Sequence, residues 1–178
     1  MRVHVALCSL VVATAAGAQP RIGLDVGAAV PPGNLGRHRS AGVAATLSAS
    51  GRGAGLSPRL DVSWARLFDD GSSERVSSDR GDYTSAGLRL SVMYRSRGRG
   101  VAPYGLVGGG LYTLDIEDQR SPYGDLFVGL HAAAGVEVPV RSVALAAEVG
   151  AVAMATDYGA YAWDSPTVWV PVTVGVRF

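Results

Sequence analysis

The chain contains no lysine and only one cysteine among its 178 residues. All sixteen basic residues are arginines, and fifteen remain if Arg2 is removed with the first 18 residues. These fifteen balance fifteen Asp and Glu, so the rest of the chain has a formal charge of zero. That balance gives no support to nucleic-acid binding, which requires a basic excess. Cys8 lies in the same leading segment, so no disulfide or thiol chemistry is expected in the remaining chain.

The sequence also lacks an apolar run of about twenty residues, the length that a transmembrane helix needs. A shorter run from Val5 to Ala16 follows Arg2 and ends at the small residues Ala16-Gly17-Ala18. This arrangement is typical of a secretory signal peptide. We predict a cleaved signal peptide over 1–18 and a single domain over 19–178.

Beyond Gln19 the apolar residues recur at every second position, which is the period of a β-strand. Residues that favour turns divide this part of the chain into eight runs: Arg21–Val30, Ala41–Ser50, Leu56–Phe68, Tyr83–Arg95, Val101–Asp115, Asp125–Val138, Val143–Ala155 and Thr167–Phe178. Short connections (51–55, 96–100 and 139–142) alternate with longer ones (31–40, 69–82, 116–124 and 156–166). The pattern predicts an all-β fold, an eight-stranded antiparallel up-and-down transmembrane β-barrel, with the long loops at one end.

Aromatic residues make up only 7% of the chain, and their positions bear on the solvent that surrounds the barrel. On the apolar faces, Tyr94, Tyr104 and Phe178 fall near short-turn ends, whereas Trp64 and Tyr112 fall near long-loop ends. Two such belts are expected where aromatic rings lie at the two headgroup levels of a bilayer. The alternative is a soluble periplasmic barrel whose apolar face turns inward around a ligand, and it gives no reason for this sorting.

The opposite faces of the strands carry charges of both signs. They comprise Asp25, Arg59, Asp61, Arg89, Glu137, Glu148 and Arg177, with His131 among them. In a membrane barrel these side chains must line the lumen, because an arginine on the lipid face at mid-depth costs roughly 2–4 kcal/mol. We expect an ion-pair network that fills the lumen, in which Arg89 and Glu148 can meet. A small gated pore is the alternative.

Four segments carry a resemblance to the small eight-stranded outer-membrane proteins of the OmpA/OmpX type. They are APYGLVGGGLY (102–112), VGLHAAAGVEVPV (128–140), VALAAEVGA (143–151) and VPVTVGVRF (170–178). The resemblance implies a location in the outer membrane of a Gram-negative-type bacterium, contact with its lipid, and insertion by the barrel-assembly machinery. That machinery reads the final strand in the family, where Val174, Val176 and Phe178 would supply the signal. The family usually has glycine five residues before the last aromatic, where this chain has Thr173.

Pro171 interrupts the final strand, because proline cannot donate a hydrogen bond to the sheet. A β-bulge at this position would turn Trp169 from the lumen to the lipid. We therefore consider a bulge that adds Trp169 to the outer belt.

No catalytic, cofactor or metal site is predicted. Some barrels of this class deacylate lipid A with a Ser-His-Glu set in which serine lies two positions from histidine, but Ala133 stands in that position after His131. His38 falls in a loop, so no histidine-based metal cluster is supported. We expect a protein without enzymatic activity, with a structural or surface-interaction role.

The long loops 31–40, 69–82, 116–124 and 156–166 are the expected places for an extracellular ligand. Arg80-Gly81-Asp82, in the longest of them, matches an integrin-type adhesion tripeptide. In a chain rich in Arg and Gly this tripeptide arises readily by chance, so a solvated loop is the simpler interpretation.

Overall fold

The computed structural model describes residues 20–32, 35, 39–71, 81–97, 100–116, 125–155 and 167–178. The predicted signal peptide over 1–18, His38, and most residues of the four long connections lie outside this part of the chain. Within the described residues there is no helix of sufficient length and apolarity to cross a membrane.

Eight antiparallel strands form a closed barrel in which each strand pairs with its neighbour in sequence and the last pairs with the first. The strands are β1 (Arg21–Val30), β2 (Arg39–Ser50), β3 (Gly55–Asp69), β4 (Tyr83–Arg95), β5 (Ala102–Ile116), β6 (Asp125–Val140), β7 (Val143–Met154) and β8 (Thr167–Arg177). The predicted fold class is confirmed. The largest differences in the bounds are β2, which begins two residues earlier than predicted, and β6, which ends two residues later.

The outer face of the barrel is apolar on all eight strands. Leu24 on β1, Leu90 on β4, Leu130 on β6 and Val174 on β8 are each more than half exposed, although they lie in the middle of regular strands. Charged residues of the same strands point inward and are buried, among them Asp25, Arg89, Glu137 and Arg177. The alternative of a soluble barrel with its apolar face around a ligand is therefore wrong, because the valine and leucine side chains face away from the lumen.

Two of the five residues predicted for the aromatic belts face the lumen. Trp64, Tyr94 and Phe178 are exposed on the outer face, but Tyr104 and Tyr112 are almost completely buried inside the barrel. The prediction failed on β5 because both faces of this strand combine apolar residues with glycine, so its sequence pattern does not distinguish inside from outside.

Glycines on neighbouring strands give these two tyrosine rings their space. Gly135 pairs with Tyr104 in the ladder, and a Cβ atom at Gly135 would lie 2.5 Å from the Tyr104 hydroxyl oxygen. Gly87 pairs with Tyr112, and a Cβ atom there would lie equally close to that ring. The large rings therefore turn inward, where the facing residues lack side chains.

The predicted bulge at Pro171 is also absent. The ladder between β7 and β8 keeps one register on both sides of the proline, pairing Val149 with Val172 and Val152 with Trp169. Trp169 consequently stays in the lumen and is buried. The register shift that does occur in the described ladders lies between Ser40 and Val43 on β2.

Candidate functional site

The lumen contains a central group of buried charges contributed by strands on opposite sides of the barrel. Arg59 on β3 is its centre, since its Nε donates to Asp61 Oδ1 at 2.7 Å and its Nη1 donates to Glu148 Oε2 at 2.6 Å. Tyr104 also donates its hydroxyl hydrogen to Glu148 Oε2, at 2.8 Å. These contacts connect β3, β5 and β7 across the interior.

Arg89 and Glu148, which were expected to meet, have different partners. Asp61 stands directly opposite Arg89 in the ladder between β3 and β4, and its Oδ2 lies 3.6 Å from Arg89 Nη2. Arg89 Nη2 also donates to Thr46 Oγ1 at 3.3 Å. Arg89 is thus paired with a neighbour on the adjacent strand, while Arg59 reaches across the lumen to Glu148.

A second group of charges lies nearer the short-turn end of the lumen. The carboxylate of Glu137 accepts hydrogen bonds from Arg21 Nη1 at 2.7 Å and from Arg95 Nη2 at 3.2 Å, and Arg177 Nε lies 3.9 Å from it. Arg177 Nη1 donates to Asp25 Oδ1 at 2.6 Å. Asp25 Oδ2 in turn lies 3.9 Å from Arg59, so the two groups form a continuous polar column.

The long-loop half of the lumen is filled by apolar side chains. The buried members are Ala29, Ala44, Ala65, Leu67, Tyr112, Leu114, Phe127, Val152, Met154 and Trp169. The Tyr112 and Trp169 rings meet edge to face with their centroids 6.1 Å apart. Leu35 and Tyr83 pack against this apolar cluster. The interior is therefore polar towards the short turns and apolar towards the long loops.

His131 is placed in the lumen, where its Nε2 lies 3.1 Å from Ser91 Oγ on β4 and 3.9 Å from Asp61 Oδ2. The structure thus places a serine from another strand, Ser91, beside His131. A hydrolytic triad requires serine and carboxylate on opposite ring nitrogens, whereas both approach Nε2 here. Nδ1 has no hydrogen-bond partner among the described residues, and both side chains are buried. The arrangement fits a packed hydrogen bond better than a nucleophile.

All eight predicted lumen residues lie on the inner face of the barrel, and Glu148 is the most accessible of them. Arg21, Arg95 and Tyr104 also belong to the polar column, although they were not predicted as members of it. Arg21 shares its strand face with Asp25, and Arg95 shares its strand face with Arg89. The alternation of inner and outer positions along each strand could therefore have placed both arginines in the lumen. To place Tyr104 in the lumen, the pairing of β5 with its neighbours must be known, and the sequence of β5 does not reveal that pairing.

The three predicted residues of the assembly signal lie near the end of the chain, on β8 and directly after it. Val174 and Phe178 are exposed on the outer face, and Val176 is half-buried on the same face. Their side chains are therefore directed away from the polar column.

At the long-loop end, four side chains join the two ends of the connection between β3 and β4. We call this group the loop clasp, and it consists of Arg39, Arg66, Asp69 and Asp82. Asp82 accepts hydrogen bonds from the Asp69 backbone N–H at 2.9 Å and from Arg66 Nε at 2.8 Å. Asp69 accepts from the backbone N–H of Gly81 at 2.9 Å and from Arg39 at 3.3 Å. The Arg39 guanidinium also lies 4.1 Å from the centre of the Tyr83 ring.

The loop clasp engages one part of the Arg80-Gly81-Asp82 tripeptide. The Asp82 carboxylate is held by Arg66 and Asp69, whereas Arg80 lies outside the described residues. An adhesion motif needs its carboxylate free for a receptor, so this contact disfavours the adhesion interpretation.

Solved structures of other proteins share the barrel. Neisserial surface protein A is 19% identical, with a TM-score of 0.63 over 89% of this chain and 95% of that chain. The Yersinia pestis outer membrane protein Ail, in a phospholipid bilayer nanodisc, is 14% identical, with a TM-score of 0.50 over 90% of this chain and 100% of that chain. The outer membrane enzyme PagL is 14% identical, with a TM-score of 0.49 over 89% and 98%.

No protein-family model matches the sequence, and no curated protein matches it significantly. The structural likeness to Neisserial surface protein A, together with the closed barrel, shows the fold of the small eight-stranded outer-membrane β-barrels. The resemblance to the OmpA/OmpX type is thereby confirmed at the level of the fold.

Proposed function

We propose that this chain is an outer-membrane β-barrel protein with a plugged lumen, whose role is structural or is exerted through its long loops. The observation that carries the proposal is the reversal of polarity, with apolar side chains outside and paired charges inside. A surface of exposed Leu and Val around the whole barrel would be unstable in water, and lipid solvates it without cost.

The filling of the lumen supports a plug rather than an open channel. An eight-stranded barrel has an interior just wide enough for its own side chains. Here Arg59, Glu148 and Tyr104 bridge opposite walls, and the Tyr112–Trp169 contact covers them towards the long loops. With the centre of the lumen occupied, the long loops are the expected place for contact with extracellular partners.

The orientation and assembly follow the common plan of outer-membrane barrels. Their short turns face the periplasm and their long loops face the outside. The loops at 31–40, 69–82, 116–124 and 156–166 would then meet extracellular ligands. The exposed side chains Val174 and Phe178 would be available to the barrel-assembly machinery during insertion.

The absence of enzymatic activity is part of this proposal. The histidine of the described strands, His131, is buried in the lumen beside Ser91, away from the lipid and from the aqueous surface. A hydrolase acting on lipid needs its nucleophile at the lipid-facing surface, and Ser91 does not reach it.

Fractionation of a bacterium with two membranes tests the location and the closed barrel together. The full chain should appear in the outer-membrane fraction, and an unboiled sample should migrate faster than a boiled one in SDS gels. Mass spectrometry of the purified protein should show Gln19 as its first residue. A soluble periplasmic product without a mobility shift would contradict the proposal.

A small gated pore is the second candidate, and the polar column favours it. The charges run without interruption from Glu137 through Asp25 to Arg59. They would line the short-turn half of a path for ions through the barrel. Planar-bilayer recordings separate the two candidates. The plugged barrel predicts no steps in current, whereas a pore predicts discrete steps that disappear or change in size in Glu148→Gln.

A further inference from the structure

The short-turn end of the lumen opens into a bowl of about 550 Å³ that is strongly basic. Among the described residues, those of its lining that carry charge are Arg21, Arg52, Arg95 and Arg97, together with one acid, Glu137. We call this site the anion bowl. The chain beyond residue 18 is electrically neutral, so the basic character of this lining is a local property and does not reflect the overall composition.

We propose that the anion bowl binds a small water-soluble polyanion with two or more carboxylate or phosphate groups. The structure already shows how the site holds one carboxylate. The Glu137 side chain accepts from Arg21 at 2.7 Å and from Arg95 at 3.2 Å. Guanidinium groups bind carboxylate and phosphate in the same planar geometry, so the arginines of the bowl can receive either group.

Arg95 is held in place before any ligand arrives. Its Nη1 donates to the backbone carbonyl oxygens of Gly51 at 3.0 Å and Gly53 at 3.2 Å. These bonds join the end of β4 to the turn that carries Arg52, so the positions of two arginines are linked. A group that is already ordered loses little conformational entropy when a ligand binds, which favours affinity.

The position of the bowl indicates a dissolved ligand rather than a lipid headgroup. Arg95, Glu137 and Ala144 line it from the inner face of the barrel, whereas lipid contacts the outer face. Its volume lies within the range of small-molecule sites. Binding at this mouth does not depend on the orientation of the barrel in the membrane, so the purified protein can test it.

Isothermal titration of the refolded full chain in an uncharged detergent provides the test. Tricarballylate represents carboxylates and pyrophosphate represents phosphates, and each is titrated at constant ionic strength against chloride. We expect saturable binding of one anion per chain by at least one of the two probes, and the probe that binds identifies the preferred group. Heats no larger than those of chloride for both probes would overturn the proposal.

Three matched variants distinguish a site from a diffuse charge effect. Arg52→Asn and Arg97→Asn each remove one charge from the bowl, and we expect affinity to fall roughly tenfold or more in each, as for the loss of a charged hydrogen bond. Arg141→Asn removes the same charge from the third short turn, outside the bowl. Asparagine tolerates the positive φ of 56° at this position. An equal loss of affinity in all three variants would overturn the proposal.

Glu137→Gln gives a change in the opposite direction. Glutamine keeps the shape of the side chain but removes the resident negative charge that competes for Arg21 and Arg95. We expect tighter binding of the probe anion by this variant, which a purely structural role of Glu137 does not predict. Unchanged or weaker binding in a variant that still shows the barrel mobility shift would count against the proposal.

Discussion

Arg59 Nη1 donates a 2.6 Å hydrogen bond to Glu148 Oε2 across the lumen, and it thereby connects β3 to β7. The guanidinium is almost completely buried, and the carboxylate is largely so. Removing one partner from such a pair leaves the other charge buried without compensation. The pair therefore makes the interior of the barrel sensitive to single substitutions in a way that its outer surface is not.

Arg59→Met is expected to lower the free energy of unfolding by about 3–5 kcal/mol, because Asp61 and Glu148 both lose their shortest partner. Urea titration of the protein in lipid vesicles, followed by the gel mobility of unboiled samples, measures the change. Arg66→Met is the control, since its pair with Asp82 lies at the exposed rim and is worth about 0–1 kcal/mol. Equal effects of the two substitutions would contradict a buried network.

The two described tryptophans should respond differently to quenchers in the lipid. Trp64 is exposed on the outer face, whereas Trp169 is buried against Tyr112 in the lumen. Brominated acyl chains should therefore quench a variant that retains only Trp64 and leave a variant that retains only Trp169 nearly unchanged. Quenching of Trp169 by the lipid would show that its side chain faces the lipid and not the lumen.

The sequence predicted the strands well because seven of them carry a clear period of two. On β1, Leu24 and Val26 alternate with Asp25. The face that carries Asp25 could not contact lipid without burying a charge, so the apolar face had to be the outer one. The alternation also placed Arg59 and Arg89 correctly on the inner face. Local patterns of this kind depend on residues a few positions apart, which is the range that sequence analysis covers.

The orientation of a side chain could not be predicted where it depends on residues of another strand. Tyr104 turns inward because Gly135 on β6 leaves room for its ring and Glu148 on β7 accepts its hydrogen. The partner of Glu148 likewise depended on which arginine could reach across the lumen. The two contacts of Glu148 join side chains that are separated in sequence by 44 positions for Tyr104 and by 89 positions for Arg59. No periodicity within one strand encodes such contacts.

Substitution by arginine on the outer face tests whether that face contacts lipid. Leu90 lies in the middle of β4 and is 60% exposed, so Leu90→Arg should lower the free energy of unfolding from vesicles by roughly 2–4 kcal/mol. Val101 is exposed just before β5, at the short-turn end, where the same substitution should cost about 0–1 kcal/mol. If both variants unfold at the urea concentration of the unmodified protein, the outer face does not lie in lipid.

The loop clasp predicts how the longest loop responds to acid and to substitution. The Asp69 backbone N–H lowers the pKa of Asp82 below its ordinary value of 3.8, and Arg66 adds to this effect. Since the pKa is lowered in the folded state, the stabilisation by Asp82 is complete above that ordinary value and is lost as the pH falls through the lower one. Carbon NMR should place the titration midpoint of Asp82 below 3.8, and Arg66→Met should raise it.

Asp82→Asn should loosen the same clasp at neutral pH. If the carboxylate contributes about 1 kcal/mol to closure, the open fraction rises about fivefold, and trypsin should cut at Arg75 or Arg80 faster by a similar factor. Asp115→Asn, on the exposed face of β5, is the matched control and should leave the cleavage rate unchanged. Equal rates in the two variants would mean that Asp82 does not hold the ends of the loop together, and the Asp82 carboxylate would then be available to an external partner after all.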